Sequence, residues 1–265
     1  MTPSRPPVER VCVCVPTYNE VGNVEMIVGR IRASVPAADV LVLDDNSPDG
    51  TGQVADRLAA RDAQVHVLHR PGKEGLGPAY LAGFRWALER GYDAVVEIDA
   101  DGSHRPEQLP ALLAAAADAD VVIGSRWVPG GSVHNWPLDR RVLSVGANTY
   151  ARLALGIPVR DATAGYRVYR AAALGSMDTD AVASQGYCFQ VDLTLRALDR
   201  GLRVVEVPVA FIEREVGTSK MDRSIVREAA VRVGVWGVQR RARQLRERLG
   251  RAGRSTGWHH LEENT

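Results

Sequence analysis

Two carboxylates one residue apart, Asp99 and Asp101 in Asp99-Ala100-Asp101-Gly102-Ser103-His104, follow directly on the apolar run Ala94-Val95-Val96-Glu97-Ile98. An acidic pair at the end of a buried strand can hold a hard divalent cation through oxygen and leave positions open for substrate phosphates. In an α/β sheet, ligands gather beyond the carboxyl ends of the strands. The same residues would also suit an acidic turn capping a helix from Pro106, so the pair takes its meaning from what else the chain brings to it.

Two more polar loops close apolar runs. Pro16-Thr17-Tyr18-Asn19-Glu20 follows Val11 to Val15, and Asp44-Asp45-Asn46-Ser47-Pro48-Asp49-Gly50-Thr51 follows Val40 to Leu43. A dinucleotide-binding turn needs glycines after the first strand so that a pyrophosphate can reach a helix N-terminus. Pro, Tyr and Glu stand there instead, which argues against a dehydrogenase. The acidic loop suits a nucleobase and ribose, because carboxylates accept from ring N–H and hydroxyl donors, and Asp49 is also placed to cap a helix from Thr51. Gly72-Lys73-Glu74-Gly75-Leu76-Gly77 lacks the Lys-Ser or Lys-Thr close of a phosphate loop and reads as a turn in which Lys73 could touch a phosphate.

Cations recur further on. Gly124-Ser125-Arg126 ends an apolar run, and Arg140, Arg141, Arg167, Arg214 and Lys220 follow. Arg126, Arg214 and Lys220 have Gly, Ser or Thr neighbours that let a phosphate approach the backbone. Arg141 and Arg167 read as solvated surface, and His104 and His134 as ordinary polar residues.

The elements that must position these groups alternate. Short apolar runs at Val11–Val15, Val40–Leu43, Val65–Leu68, Ala94–Ile98 and Asp120–Ile123 read as buried strands. Between them, helical spacing covers Glu20–Ser34, Thr51–Ala60, Pro78–Glu89 and Pro106–Ala117. Such alternation predicts an α/β fold, a mostly parallel sheet flanked by helices on both faces. A loop rich in Pro, Gly and Trp runs from Trp127 to Pro137, followed by an amphipathic stretch at Arg140–Leu155. After it come a strand at Gly165–Tyr169, a helix at Cys188–Asp199 and a strand at Val204–Ile212, interrupted by Pro208.

At 265 residues, 45% hydrophobic and 25% charged, the chain has the material for one large α/β domain with an appendage. Its net charge of +1 offers no field for nucleic acid, and no nucleic-acid partner is expected. Cys12, Cys14 and Cys188 have no zinc spacing. The first two fall on one face of a strand as small buried hydrophobes, which suits a reducing, cytosolic setting. There is no signal pattern at the N-terminus and no run of the roughly 18 apolar residues that a spanning helix needs.

Ten arginines against three acids from Asp222 to Arg254 point to an anionic surface. There, Ile225, Val226, Ala229, Ala230, Val233, Trp236 and Gly237 share one helical face ahead of Arg240, Arg241, Arg243, Arg246 and Arg248. A helix of this kind can lie in a membrane interface with Trp down, or pack on the domain or on a partner.

PTYNE, DDNSPDGT, DADGSH, GSR, DATAGYRVYR, GYCFQVDLTLRA and EREVGTSK occur in register between Arg10 and Met221. Together they resemble the family 2 glycosyltransferases of the GT-A (nucleotide-diphospho-sugar transferase) fold, most of all the dolichol- or polyprenol-phosphate mannose synthases. The resemblance implies a GT-A catalytic domain over residues 1–221, a basic amphipathic helix over 222–250 and a frayed tail over 251–265. It implies that Pro16, Tyr18, Glu20 and Asp44 or Asp45 hold the nucleoside, with Ala100 and Gln190 also on the substrate side. Asp99 and Asp101 would serve the nucleotide and a Mg2+ or Mn2+ ion, with Ser103 where some members use Gln as a ligand. Arg126, Arg140, Arg214 and Lys220 would hold the diphosphate, the sugar or the acceptor phosphate. Asp192 stands where Glu is often found, and the membrane-spanning helices of some members have no counterpart.

The implied reaction moves mannose from GDP-mannose to a polyprenyl monophosphate with inversion, on the cytoplasmic face of a membrane, with or without a membrane-protein partner. A UDP-glucose-dependent transferase to the same lipid and a non-catalytic nucleotide-sugar scaffold are the alternatives.

Overall fold

A computed structural model describes residues 5–179, 182, 187–213, 229–242 and 246. Strands β1 (Val11–Thr17), β2 (Asp39–Asp44), β3 (Val65–His69) and β4 (Ala94–Glu97) alternate with helices α1 (Val24–Ser34), α2 (Thr51–Ala59) and α3 (Leu76–Glu89). A 3₁₀ turn at Pro106–Gln108, α4 (Leu109–Ala115), β5 (Val121–Ser125), β6 (Ser132–His134) and α5 (Leu138–Leu155) follow. Then come β7 (Arg167–Arg170), α6 (Ala171–Ser176), α7 (Tyr187–Asp199), β8 (Val204–Pro208) and β9 (Ala210–Ile212).

The main sheet has the order β3-β2-β1-β4-β7-β5-β8, parallel throughout except for β7, which runs antiparallel between β4 and β5. Parallel register sets Thr17 of β1 against Asp44 of β2, so both polar loops leave the sheet at one end, with the Asp99 loop beside them on β4. Alternation along the strands splits the core into two layers. Cys12, Cys14, Leu41, Leu43 and Val95 face one way, with Tyr80 and Phe84 of α3. Val13, Val15, Val40, Val42 and Val96 face the other, with Val24, Ile27 and Ile31 of α1. The cysteines therefore pack as small hydrophobes, as their spacing predicts. Gly83 lets α3 sit on the sheet: a Cβ there would stand 2.8 Å from Cys14 Sγ.

The α/β alternation is as the sequence predicts, with instructive differences. Helix α1 begins at Val24 rather than Glu20, because Asn19 turns with φ 59° and the Glu20 N–H donates to Thr51 Oγ1 (2.9 Å). The segment from Pro106 starts as a 3₁₀ turn and becomes α-helical only from Leu109. The expected strand Val204–Ile212 is two strands in two sheets, since after Pro208 the Val209 N–H goes to Ser125 O and β9 pairs with β6 instead. Strand β6 lies within the stretch Trp127–Pro137, expected to be loop throughout, and Ile212 N–H of β9 donates to Ser103 O (3.1 Å).

Over residues 229–242 the chain is helical, and of the alternatives read for its apolar face the described part packs on the domain, while Ile225, Val226, Arg243, Arg248 and the tail over 251–265 lie outside the described residues. Val233 is buried, Trp236 rests on the core, and a Cβ on Gly237 would stand 2.4 Å from Ala154 O. Tyr150 of α5 donates to Ala230 O (3.0 Å), and Arg241 to Leu153 O (3.0 Å). No described helix is long and apolar enough to cross a membrane.

Candidate nucleotide and metal site

The acidic loop leaves β4 under several constraints. The Asp99 N–H donates to His104 Nδ1 (3.2 Å), Tyr80 Oη donates to Asp99 Oδ1 (3.5 Å), and the Ser103 N–H donates to Asp101 Oδ1 (3.0 Å). Gly102 carries φ 76°, the left-handed conformation that lets the chain fold back between Asp101 and Ser103. Ala100 and Ser103 are buried as the floor of the turn, while Asp99 and Asp101 stay half-buried at its rim.

His104, read from the sequence as an ordinary polar residue, is buried. It stacks on Tyr166 (centroids 5.2 Å apart) and meets Phe211 edge-on (5.3 Å), so it braces the loop from beneath. His134 stays exposed, beside Ser132 Oγ (3.0 Å).

No set of three His, Cys, Asp or Glu able to hold a metal occurs among the described residues. The donors here are two oxygen-bearing side chains one residue apart. That set fits a hard divalent cation whose remaining positions are filled by phosphate oxygens and water. Ser103, expected as a further ligand, has its backbone tied to Asp101 and Ile212.

The nucleoside-side loops are stitched together by side chains. Ser47 Oγ accepts the Asn19 N–H (3.1 Å) and donates to Asp44 Oδ1 (2.6 Å), while Asp49 accepts from the backbone of Val21 (3.1 Å) and Thr51 (3.0 Å). The Asp49 carboxylate lies below its ordinary pKa: burial opposes ionisation, but the hydrogen bonds from Thr51 and Val21 prevail. The expected capping role of Asp49 is thus present as a turn into α2.

Asp44 and Asp45, the two expected base-reading carboxylates, are both buried. Asp44 is fixed by Ser47 and Thr17, with His69 Nδ1 at 3.7 Å. Gly52 is required beside it, since a Cβ would come within 2.8 Å of Asp44 Oδ2. Asp45 pairs with the buried Arg70, which also holds Glu74 (2.7 Å); desolvation raises the Asp45 pKa despite Arg70's charge.

Pro16 and Tyr18 line the end of β1. Lys73, expected as a possible phosphate contact, lies over the Tyr18 ring, 4.4 Å from its centroid. Glu20 accepts from Asn23 Nδ2 (2.8 Å).

The cations divide into three groups. Arg126, expected at the diphosphate, turns into the protein. Its backbone N–H, Nε and Nη2 donate to Asp161 at 2.9, 2.8 and 2.7 Å, and Nη2 also reaches Thr163 (3.0 Å). Asp161 is fully buried and also accepts from Asn148 (3.2 Å). The bidentate fork is a charge-assisted clamp that fixes the end of β5.

Arg140 pairs with Glu213 and lies over Trp136, 4.2 Å from the ring centroid. Since Glu213 N–H donates to His134 O (3.1 Å) and Ile212 N–H to Ser103 O, the chain arrives beside the acidic loop just before Arg214. Arg214 and Lys220 lie outside the described residues.

Arg167, read as solvated surface, has no exposure at all. It donates to Ala164 O (2.7 Å), Ala162 O (2.7 Å), Gln190 O (3.0 Å) and Thr194 Oγ1 (2.9 Å), tying the 162–164 loop to α7. Arg141 is exposed, as expected.

Gln190, expected on the substrate side, is buried beneath the site and donates from Nε2 to Glu97 Oε2 (2.8 Å). Burial pushes the Glu97 carboxyl up to about 8, with Arg167's charge and the Gln190 hydrogen bond countering. Asp192 pairs with Arg196 along α7 (2.8 Å). Single-sequence patterns could not show that Arg167, Glu97 and Gln190 meet, because three separate elements bring them together.

The chain is 57% identical over 241 residues to undecaprenyl-phosphate mannosyltransferase of Micrococcus luteus, covering 91% of this chain and 99% of that protein. It is 56% identical over 242 residues to polyprenol monophosphomannose synthase of Mycolicibacterium smegmatis, covering 91% of each. Glucosyl-3-phosphoglycerate synthase of Mycobacterium tuberculosis, solved with Mn2+, UDP-glucose and phosphoglyceric acid, superposes with a TM-score of 0.63. That match has 20% identity and covers 86% of this chain and 79% of that one, which shows a shared GT-A fold. The model of "Glycosyl transferase family 2" matches residues 12–177, from β1 past the acidic loop and the Arg126 clamp to the end of α6. On that match, which takes in more than half of its length, the chain belongs to glycosyl transferase family 2.

Proposed function

We propose that this protein transfers a mannosyl residue from GDP-mannose to a polyprenyl monophosphate, giving polyprenyl-phosphate-mannose and GDP with inversion at the sugar. The observation that carries the reading is the identity of 56–57%, over 91% of the chain, to relatives named for mannose transfer to undecaprenyl phosphate and for polyprenol monophosphomannose synthesis. The loops gathered at the ends of β1, β2 and β4 support it, with Tyr18, Glu20 and the Ser47–Asp49 loop for the nucleoside and Asp99 and Asp101 for the diphosphate.

The acceptor sets the chemistry. A phosphate monoester with a second pKa of about 6 is largely dianionic at neutral pH, so no side chain has to deprotonate it. The protein's work is to position two anions against each other and exclude water. In this reading Asp99 and Asp101 hold a Mg2+ or Mn2+ ion, which when bound would neutralise charge on the departing GDP. Arg140, fixed by Glu213 and Trp136, serves the acceptor phosphate, a role the family resemblance also gives Arg214 and Lys220, and Arg126 positions the β5 end through Asp161. Attack by the phosphate oxygen in line with the leaving diphosphate inverts the anomeric carbon. A lipid acceptor puts the reaction at a membrane, and a nucleotide-sugar donor favours its cytoplasmic face.

The test is purified protein with a divalent cation, polyprenyl phosphate and a panel of radiolabelled nucleotide sugars. Label from GDP-mannose in the organic phase supports the reading. Label from UDP-glucose alone would replace mannose with glucose, and no labelled lipid from any donor overturns transferase activity. Asp101→Asn should lower turnover by about a hundredfold or more while leaving the fold intact, because a carboxylate ligand is lost at the site of greatest charge development.

A further inference from the structure

Arg126 and Arg140 meet at one indole and are held there in opposite ways. The guanidinium carbon of Arg126 lies 5.4 Å from the Trp136 ring centroid, and that of Arg140 lies 4.2 Å from it. Trp136 is itself wedged edge-on against Phe211 of β9 (centroids 5.2 Å apart) and against Trp127 (6.4 Å). Arg126 spends its charge on Asp161, which has no exposure, and a pair so buried cannot be exchanged for a ligand without stranding a charge. Arg140 pairs with Glu213, and their side chains keep 21% and 24% of their surface in water. An ion pair of that kind is weak, because water screens it and serves either partner once it opens.

The two contacts of Arg140 also differ in kind. Trp136 holds the guanidinium by cation–π attraction, which uses the ring and leaves the N–H groups to other partners. Glu213 takes one of those groups, accepting from Nη1. The backbone under Glu213 is tied down on both sides: its own N–H donates to His134 O (3.1 Å), and the Ile212 N–H before it donates to Ser103 O (3.1 Å). The carboxylate can therefore swing into water without moving the chain. The Trp136 indole N–H is buried and has no acceptor among the described residues, a local cost that a phenylalanine would not carry. What the indole adds is the strongest ring for holding a cation.

We propose that Trp136 is the permanent seat of Arg140 and Glu213 its exchangeable counter-ion, which the acceptor phosphate displaces. The inference deepens the acceptor reading above and rests on the role given there to Arg140. A phosphate monoester brings three oxygens and close to two negative charges to the guanidinium, where the carboxylate brings two oxygens and one charge. The exchange therefore runs towards the phosphate. A carboxylate left in place would repel the incoming dianion, and the half-exposed position of Glu213 gives it water to turn into. Both residues are positioning residues that act through Arg140, and their opposite roles give opposite signs on removal.

The experiment is calorimetric titration of the full chain with a water-soluble, short-chain prenyl monophosphate and, separately, with GDP. Glu213→Gln removes the competing charge and should bind the prenyl phosphate about three- to tenfold more tightly. Trp136→Leu removes the seat and should weaken that binding about fivefold, and Trp136→Phe, which restores a ring, should recover most of the loss. GDP affinity should match the parent's in all three variants. A merely structural role for Glu213 requires the reverse, since losing a support would weaken acceptor binding or disturb GDP as well. Prenyl-phosphate binding that Glu213→Gln weakens or leaves unchanged therefore overturns the inference. So does a Trp136→Leu loss that GDP shares or that Trp136→Phe does not restore. A parent protein that binds no prenyl phosphate overturns the acceptor reading and this inference with it. Titration needs no turnover, so a donor panel that yields no labelled lipid would sink the mannosyl reading and leave this result standing.

Discussion

Removing one side of the Arg126–Asp161 clamp should cost far more than removing both. Asp161 is fully buried and accepts three hydrogen bonds from Arg126 at 2.7 to 2.9 Å, with weaker support from Asn148 and Thr163. Arg126→Met leaves the carboxylate with neutral donors only, and Asp161→Leu leaves a buried guanidinium without its counter-charge. Breaking a buried pair in this way costs about 3–5 kcal/mol, a large part of the roughly 5–15 kcal/mol that holds a domain folded. In the double variant no charge is stranded. What remains is the loss of acceptors for Asn148, Thr163 and the Arg126 N–H, about 1–3 kcal/mol. Urea unfolding followed by tryptophan fluorescence gives all three values, and the coupling should amount to several kcal/mol. Additive single costs, or singles below about 1 kcal/mol, would refute the clamp. The refolded double variant also reports on function: GDP affinity near that of the parent protein is what loop anchoring demands, whereas a loss of tenfold or more would return Arg126 to the diphosphate.

Two further outcomes are expected. Because the Glu97 carboxyl is pushed up to about 8 from 4.5, the folded state binds its proton more tightly than the unfolded chain. Its stabilising contribution is therefore full below about pH 4.5 and lost as pH rises towards 8. In chelator, the stability of Glu97→Gln relative to the parent should grow by about 2–3 kcal/mol between pH 5 and pH 7, and parallel pH curves would contradict the shift. Gly237→Ala should destabilise the C-terminal helix: the gain in helix propensity is about 1 kcal/mol, but the new Cβ meets Ala154 O at 2.4 Å and backbone cannot yield. Faster limited proteolysis near residue 237 would show it, and slower cleavage would count against the packing.

Much of the frame was legible because it is local. Val11–Val15 and Val40–Leu43 announce strands by composition, and helices α2 and α3 start and stop within two residues of where spacing puts them. The acidic pair was legible for the same reason, as its chemistry and its strand lie within eight residues of chain. What escaped depends on encounters across the chain. Arg167 reads as a surface cation until α7 brings the Gln190 carbonyl and Thr194 hydroxyl to it, and Arg126 reads as a phosphate ligand until Asp161 arrives from 35 residues away. His104 gave no signal, since its partners Tyr166 and Phe211 come from the far half of the sequence. The C-terminal helix was amphipathic as read, but periodicity alone does not say which medium receives its apolar side. Tight glycine packing on α5 decides that question.

The reversed direction of β7 has a consequence for how the molecule is made. Strand β4 gains its second neighbour from Arg167–Arg170, and β5, with β8 beyond it, meets β3, β2, β1 and β4 through that same strand. During synthesis, then, a growing chain that has already emitted both halves still carries two unsatisfied ladders, and a single four-residue keystone must slot between them. Fragments ending before residue 167 should expose those bare edges and clump, so attempts to produce the N-terminal nucleotide half by itself ought to be designed with β7 retained.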